Sequence, residues 1–506
     1  MPAIKRAVPE VSVKLYKTIS RQNIDGEIAV SARYAGRSAF IDLTPFLGDG
    51  SSVTTKKGVR DPAGAFNISF AEQPVKKDTS PTVTDADLES IYGLVEPMDL
   101  IEIRMWSGLG KRPEKLPIRM RGFVSTVSRS QGMSSSGKPV RNVNISGMDF
   151  GKIWQTFQVL YFPAYVDGKL LLTNYNMMEA FGVTATATIS AGEYIRQMIE
   201  KIINRHIADF LPRNPDVPYQ ITPDISVKTG VIGTQYQNNE GSIYSLMSFY
   251  GDVGAWNELF IQDREDGVYA VYRPNPALKI AKPNGQSRQK IQTDAPDPVF
   301  VKIPAHFVLN NSYSRSDDNV ANFYWVNNQK YDFIDDLSRK LMALRASDGT
   351  VDARTHQNCA VKYYGVRMMN VSSNQGPTGL FSENPGLKKD EQASRGDAAL
   401  AWINNRRKII VETNRDNVVF EKGNCKIKGG LERDDGTGLI QAGDFAVFKT
   451  GTVEYSAYIT EVVDEFMPFQ SYTSTLNYER GEGFITRTTM GIGKNSPWLA
   501  ELSGDE

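Results

Sequence analysis

Three short blocks of sequence recur in the same order near the two ends of this chain. Pro97-Met-Asp-Leu-Ile-Glu-Ile103 resembles Ala442-Gly-Asp-Phe-Ala-Val-Phe448. In each, an acidic residue in a turn precedes an apolar strand. Gly122-Phe-Val-Ser-Thr-Val127 resembles Ala457-Tyr-Ile-Thr-Glu-Val462, and Val143-Asn-Ile-Ser146 resembles Ser474-Thr-Leu-Asn477. The spacers between blocks differ in length, as hairpin loops do. Two readings stand: antiparallel sheets share such patterns by chance, or the chain carries two copies of one small β domain.

The rest of the pattern is mainly β with α+β parts. Period-two alternation predicts strands at Val11–Tyr16, Ile28–Tyr34, Ala39–Leu43, Asn67–Phe70, Asp99–Trp106, Ile118–Ser128 and Val140–Ser146. Later strands are expected at Asn417–Phe420, Asp444–Phe448, Tyr455–Val463 and Tyr472–Glu479. Leu259–Gln262 and Val268–Tyr272 flank Asp266-Gly267, a hairpin signal in which Gly supplies a positive φ. Gly48–Ala65, Gln73–Asp85 and Asn370–Asp390, rich in Gly, Pro, Ser and Asp, read as loops. Phe150–Phe162 has an ambiguous period. Ser190-Ala-Gly-Glu193 is a capping box opening a helix whose stripe is Ile195, Met198, Ile199 and Ile202. Further helices are expected at Gly241–Phe249, Phe333–Leu344 and Ala398–Ile410.

Length and charge narrow the function classes. The chain has 506 residues, with 58 Lys+Arg against 58 Asp+Glu. That length predicts two to four domains, and the zero net charge argues against wrapping nucleic acid by bulk electrostatics. No run approaches the roughly 18 apolar residues of a membrane span. The first ten residues lack the apolar core of a signal peptide. Two cysteines, Cys359 and Cys425, make no disulfide framework and fit a reducing cytoplasm. Only His206, His306 and His356 carry an imidazole.

The motifs lean away from chemistry. Gly132-Met-Ser-Ser-Ser-Gly-Lys138 has phosphate-loop spacing, but Pro139 follows where a magnesium-binding hydroxyl is needed, and strands flank it. It reads as a hairpin loop. His356-Gln-Asn-Cys359 supplies two of the roughly four ligands of a closed zinc site; Cys425 and His306 would have to converge on it. It reads as a packed thiol beside a surface histidine. His206, on the apolar stripe beyond Ile202, reads as a core histidine. Paired acids can run glycoside hydrolysis, yet Asp263/Glu265/Asp266, Asp335/Asp336 and Asp434/Asp435 sit at turns or on polar helix faces and read as solvated. Arg395-Gly-Asp397 is too short to carry information, and Arg406-Arg407-Lys408 reads as a helix-surface run. No residue receives a catalytic, cofactor-binding or metal role.

Several runs resemble, in their order, the baseplate hub proteins of contractile-tailed bacteriophages. They are Gly438-Leu-Ile-Gln-Ala-Gly-Asp444, Ala457–Val462 and Tyr472-Thr-Ser-Thr-Leu-Asn-Tyr-Glu-Arg-Gly481. Trp256-Asn-Glu-Leu-Phe-Ile-Gln-Asp263, Tyr272-Arg-Pro274 and Tyr313-Ser-Arg-Ser-Asp-Asp-Asn-Val-Ala-Asn-Phe-Tyr324 belong to the same likeness. The resemblance implies two tail-tube-like antiparallel β-barrel domains plus an α+β lobe. The expected division is a first tube-like domain with an N-terminal arm at 1–160, the lobe at 161–300, a connecting region at 301–400, and a second tube-like domain with a C-terminal tail at 401–506. The implied role is structural: a homotrimer in the virion tail, assembled in the host cytoplasm, without enzymatic activity or cofactor. Implied partners are the tail tube or a distal tail protein, the central spike protein and the tape measure protein, with DNA only as passing cargo. The hub of a related contractile injection device is an alternative, and so is a tail-associated cell-wall hydrolase.

Overall fold

Most of the period-two alternation ends in one sheet. In this computed structural model the described residues are 8–18, 24–26, 40–71, 91–133, 137, 139–159, 188–211, 220–233, 241–280, 288–328, 355–377, 389–450 and 453–483. The strands of the main sheet are β1 (Glu10–Tyr16), β2 (Ile41–Asp42), β3 (Ser52–Gly58), β4 (Ala65–Ala71), β5 (Leu100–Trp106), β6 (Ile118–Met133) and β7 (Pro139–Asp149). They continue as β8 (Phe300–Ile303), β9 (Val308–Ser314), β10 (Glu421–Lys428), β11 (Phe445–Thr450), β12 (Val453–Met467) and β13 (Ser471–Gly481). Their path is β9-β10-β13-β12-β3-β4-β7-β6-β5-β1-β2, with β11 joining β12 to β8 beside it.

The path divides into two sets at the pairing of β12 with β3. In sheet order the first set is β3-β4-β7-β6-β5-β1 and the second is β9-β10-β13-β12-β11-β8. Taken in chain order, the six strands of one set occupy the same sheet positions as the six of the other. Four of the five neighbour pairings are antiparallel in both sets. The fifth differs: β1 runs antiparallel to β5, whereas β8 runs parallel to β11. The second set draws β8 and β9 from residues 300–314, well before β10.

The second set is strongly curled. Residues 304–307 alone join β8 to β9, and the chain from Ile303 to Val308 reaches at most about 18 Å. The first and sixth strands of a flat sheet lie about 24 Å apart, at about 4.8 Å per strand. The sheet must bend to bring its ends together, although among the described residues no ladder closes either set into a ring. Each set wraps a core of its own. Val13, Phe66, Ile68, Ile103, Val124 and Ile145 fill the first, and Val301, Ile427, Phe445, Tyr458, Ile459 and Leu476 the second.

A helical lobe covers the first set. Its core joins Phe123, Phe150 and Trp154 to Ile195, Ile199, Ile203, Met247 and Tyr272. Ser190 Oγ accepts from the Glu193 N–H at 3.2 Å, which is half of the expected capping box; Glu193 itself turns to Gln197 and Arg196. The helix runs to Phe210, but Met198–Ile203 forms a π-helical turn. The wider turn advances the buried stripe, so Ile203 and Ile207 are buried and His206 is displaced to a half-buried position against the edge of Phe157.

Other expectations are revised. Much of Gly48–Ala65 is β3 rather than loop, because Val53 and Thr55 alternate with half-exposed Thr54 and Lys56. Asn370–Asp390 opens within a strand, Met368–Ser373, and ends within the helix Lys389–Asn414. Asn417–Phe420 is a turn, and the strand starts after it as β10. The hairpin Asn257–Arg264/Gly267–Pro274 forms, but Gly267 pairs with Arg264 as a strand residue and has no positive φ; Glu265 and Asp266 make the turn. Phe150–Phe162 begins as the short helix Gly151–Thr156. Ile28–Tyr34, Gln73–Asp85, Phe333–Leu344 and Asp335/Asp336 lie outside the described residues.

Candidate functional site

The repeated blocks fold into the same hydrogen-bonded corner. In the first set, the Met98 N–H donates to the Val124 carbonyl at 2.8 Å and the Val124 N–H to the Asp99 carbonyl at 2.9 Å. In the second, the Gly443 N–H donates to the Ile459 carbonyl at 2.8 Å and the Ile459 N–H to the Asp444 carbonyl at 2.9 Å. Asp99 Oδ2 accepts from the Glu96 N–H at 2.9 Å, and Asp444 Oδ2 from the Gln441 N–H at 2.9 Å. The residue before each aspartate has a positive φ, 75° at Met98 and 96° at Gly443. Glycine takes that conformation freely; Met98 holds it at a cost.

Each aspartate is buried with one cation. Lys17 Nζ lies 2.5 Å from Asp99, and Arg433 forks onto Asp444 at 2.9 and 2.8 Å. Burial pushes both carboxyls above their ordinary range, and the cations only partly offset it. The two cations come from unrelated places in the chain, so the corner is repeated while its charge partner is not.

A bulge follows each corner at the same place. The β6–β7 register shifts between Val124 and Thr126, and the β12–β13 register between Ile459 and Glu461. These are equivalent positions in the second repeated block. A third correspondence is steric. Phe66 faces Gly147 across β4–β7, and Gly423 faces Tyr478 across β10–β13. One partner is aromatic and the other glycine in both sets, with the roles exchanged. A Cβ on Gly147 would sit 2.3 Å from the Phe66 ring and 2.3 Å from the Phe123 carbonyl oxygen.

Ion pairs lock the two sets together. At their junction, residues 461–466 of β12 pair with residues 53–58 of β3. Arg119 of β6 reaches across it and donates through Nε to Asp464 Oδ2 at 2.7 Å, and both groups are buried. Lys56 meets Glu461 at 2.6 Å on the solvated face. The lobe hairpin 257–274 then touches both sets. Lys57 lies 2.5 Å from Asp149 and 2.7 Å from Asp263 of the hairpin. Burial works against the Lys57 ammonium, yet Asp149 and Asp263 together raise its pKa. Glu265 accepts from Arg104 at 2.8 Å and from the Ile118 N–H at 2.7 Å. On the other side Glu258 takes Arg273 at 3.0 Å and the Tyr458 hydroxyl at 2.6 Å.

Two acid and base runs therefore differ from their sequence reading. Asp263 is buried, because Leu259, Ile261 and Asp263 share one side of the strand. Arg406 is buried between the Trp256 and Trp402 rings, 4.9 and 4.4 Å from their centroids, and donates to Gln375 at 3.2 Å. It lies one turn from Ile403 and from Ile410, so helical spacing already places it on the apolar side of Lys389–Asn414. Lys408 and Asp397 are exposed on that helix.

Among the described residues no reactive constellation forms around these groups. A cleft of about 560 Å³ opens between the hairpin and the second corner, lined among others by Asp224, Arg264, Asp266, Arg273, Arg433 and Asp435. Acids outnumber bases in its lining, and Arg264, Arg273 and Arg433 are each paired with an acid. Cys359 and Cys425 are buried, and burial pushes both thiols up to about 11. His356 is half-buried and 3.8 Å from Asp416. Among the described residues no three His, Cys, Asp or Glu side chains gather as metal ligands, and no helix is long and apolar enough to cross a membrane. Residues 134–136 and 138 of the glycine–lysine run are outside the described residues; Met133 and Pro139 pair at the end of the β6–β7 hairpin.

No family model matches the chain, and no curated protein matches it. Solved structures do. A tail protein from Neisseria meningitidis MC58 is 10% identical, with 95% of this chain and 98% of that one covered and a TM-score of 0.43. The 43 kDa tail protein of prophage MuSo2 from Shewanella oneidensis is 9% identical over 93% and 96% of the two chains, with a TM-score of 0.43. Prophage tail protein gp18 from Listeria monocytogenes EGD-e is 10% identical over 92% and 94%, with a TM-score of 0.40. Phage and prophage tail and baseplate proteins are among the neighbours of this chain in solved structures, and so is a component of the E. coli type VI secretion system.

Proposed function

We propose that this chain is the structural hub of a phage tail baseplate, a homotrimeric ring that adapts a six-fold tail tube to a three-fold central spike. The observation that carries the reading is the six-strand set present twice in one chain, with the same strand order, the same aspartate corner and the same bulge. Three such chains present six similar units on one face while remaining strictly three-fold. An adaptor between assemblies of unequal symmetry needs that arrangement, because identical contacts cannot satisfy both. The tail setting comes from the ordered resemblance of sequence runs. In this role the tail tube or a distal tail protein meets the six-unit face and the spike the three-fold face, with the tape measure protein and DNA passing through the centre.

The buried groups fit a scaffold. Nearly every interior charge described above has a counter-ion that ties one element to another, and none stands as an activated nucleophile. The experiment is the mass of the purified chain in solution by light scattering. Three chains per particle support the hub. A monomer that releases fragments from peptidoglycan supports a wall hydrolase instead.

A further inference from the structure

The junction between the two sets is a template for a second junction that one chain leaves incomplete. On one side residues 458–467 of β12 pair with β13. On its other side β11 pairs with 453–458, and β3 then takes over at 461–466. The equivalent strand of the first set, β6, is arranged alike as far as it goes. It pairs with β7 on one side, while β5 pairs with 118–123 on the other. Beyond Val124, among the described residues, no strand takes the place that β3 takes beside β12. Ser128–Met133 are exposed. The counterpart of β3 in the second set is β9. It pairs with β10 on one edge only, ends the sheet path, and exposes Leu309 and Tyr313.

We infer that β6 beyond its bulge pairs antiparallel with β9 of a second copy of this chain. The equivalences fix the register. Glu465 opposite Thr54 within the chain becomes Ser130 opposite Ser312 between chains, and Asp464 opposite Thr55 becomes Arg129 opposite Tyr313. Both strands are long enough, β6 carries the bulge of its counterpart β12, and the pairing would cover two exposed edges that otherwise invite uncontrolled association. The contact is heterologous, since β6 of one copy meets β9 of the next, so it closes a ring when the rotation permits. An eight-stranded arc from β9 to β6 would then repeat around that ring. The number of copies, three, rests on the hub reading; the register does not.

Paired cysteines test it in the full-length protein. Ser130→Cys with Ser312→Cys, and separately Arg129→Cys with Tyr313→Cys, place thiols at adjacent register positions. Adjacent antiparallel pairs alternate between close and wider spacing, so at least one falls within disulfide reach. Thr54→Cys with Glu465→Cys is the intrachain counterpart and reports that oxidation and folding succeed. Arg112→Cys with Tyr313→Cys is the out-of-register control. The expected result is a shift of the in-register variants, on a non-reducing denaturing gel, from one chain to two- and three-chain species, with no such shift in the control. An in-register ladder that ends at another number supports the pairing and overturns the trimer. A three-chain particle whose in-register variants stay single-chain on that gel overturns the pairing and leaves the hub reading intact. Single chains in solution with no cross-link overturn both.

Discussion

Gly147 shows how tightly single residues are specified in this sheet. Adding one methyl there drives a Cβ against a backbone carbonyl that cannot move away and against the Phe66 ring. Gly147→Ala should cost about 3 kcal/mol, at the upper end of overpacking, seen as a lowered Tm. A second residue sets a pH dependence. Burial alone would raise the Glu102 carboxyl, but Arg104 at 2.6 Å and Arg121 at 3.1 Å bring it below the ordinary glutamate range. A carboxylate lowered in the folded state contributes stability above its unfolded pKa, about 4.3, and loses it as pH falls through the folded value. Glu102→Gln should therefore lower the Tm at pH 7, by the equivalent of about 3 kcal/mol for a broken buried pair, and the gap from the parent should narrow as pH drops below about 4. A gap independent of pH would contradict this origin. Asp263, read as solvated, and Arg406, read as a helix-surface residue, are both buried, and the sequence held the signal that places them: Asp263 is in phase with Leu259 and Ile261, Arg406 with Ile403 and Ile410. Counter-ions such as Lys17 for Asp99 were not legible, because they come from elsewhere in the chain.

At the scale of elements, alternation and turn chemistry carried far. β1, β4, β5, β6, β7, β11, β12 and β13 all overlap runs of apolar alternation, and Ser190 opens its helix as its spacing predicts. Two of the missed strands share a cause. β3 and β10 bury little apolar surface of their own, with Val53 in one and Cys425 and Ile427 in the other, and otherwise read as Ser, Thr, Lys, Glu, Asn and Gly. They are strands because both neighbours offer ladders, which is tertiary information. The π-helical turn at Met198–Ile203 likewise has no period of its own to betray it and moves His206 off the stripe. The junction of β3 with β12 depends on Arg119 and Asp464. Arg119→Met should be strongly destabilising, by about 3–5 kcal/mol, because it leaves Asp464 buried without its cation. Arg119→Met with Asp464→Leu should recover much of that loss, because an apolar pair removes both charges. Equal Tm values for the single and double variants would show that the ion pair is not what holds the junction.

For the whole molecule, the ordered echo of three sequence blocks was the most informative feature, and the structure shows its physical basis in the repeated corner, bulge and aromatic–glycine pair. The difference between the sets is informative too. β8 is held to β9 by residues 304–307, whereas β1 leads to β3 through a long connection containing β2, and only the outermost strand is free to change direction. Two copies in one chain can diverge in this way, so that one meets its neighbour within the chain and the other across a chain boundary. Averaged electron-microscope images of the purified particle show how many chains the proposed ring holds. A trimeric hub gives end-on views with a three-fold axis and six similar units around a central opening. Particles with no rotational symmetry, or a ring whose units are not a pair from each of three chains, would contradict it.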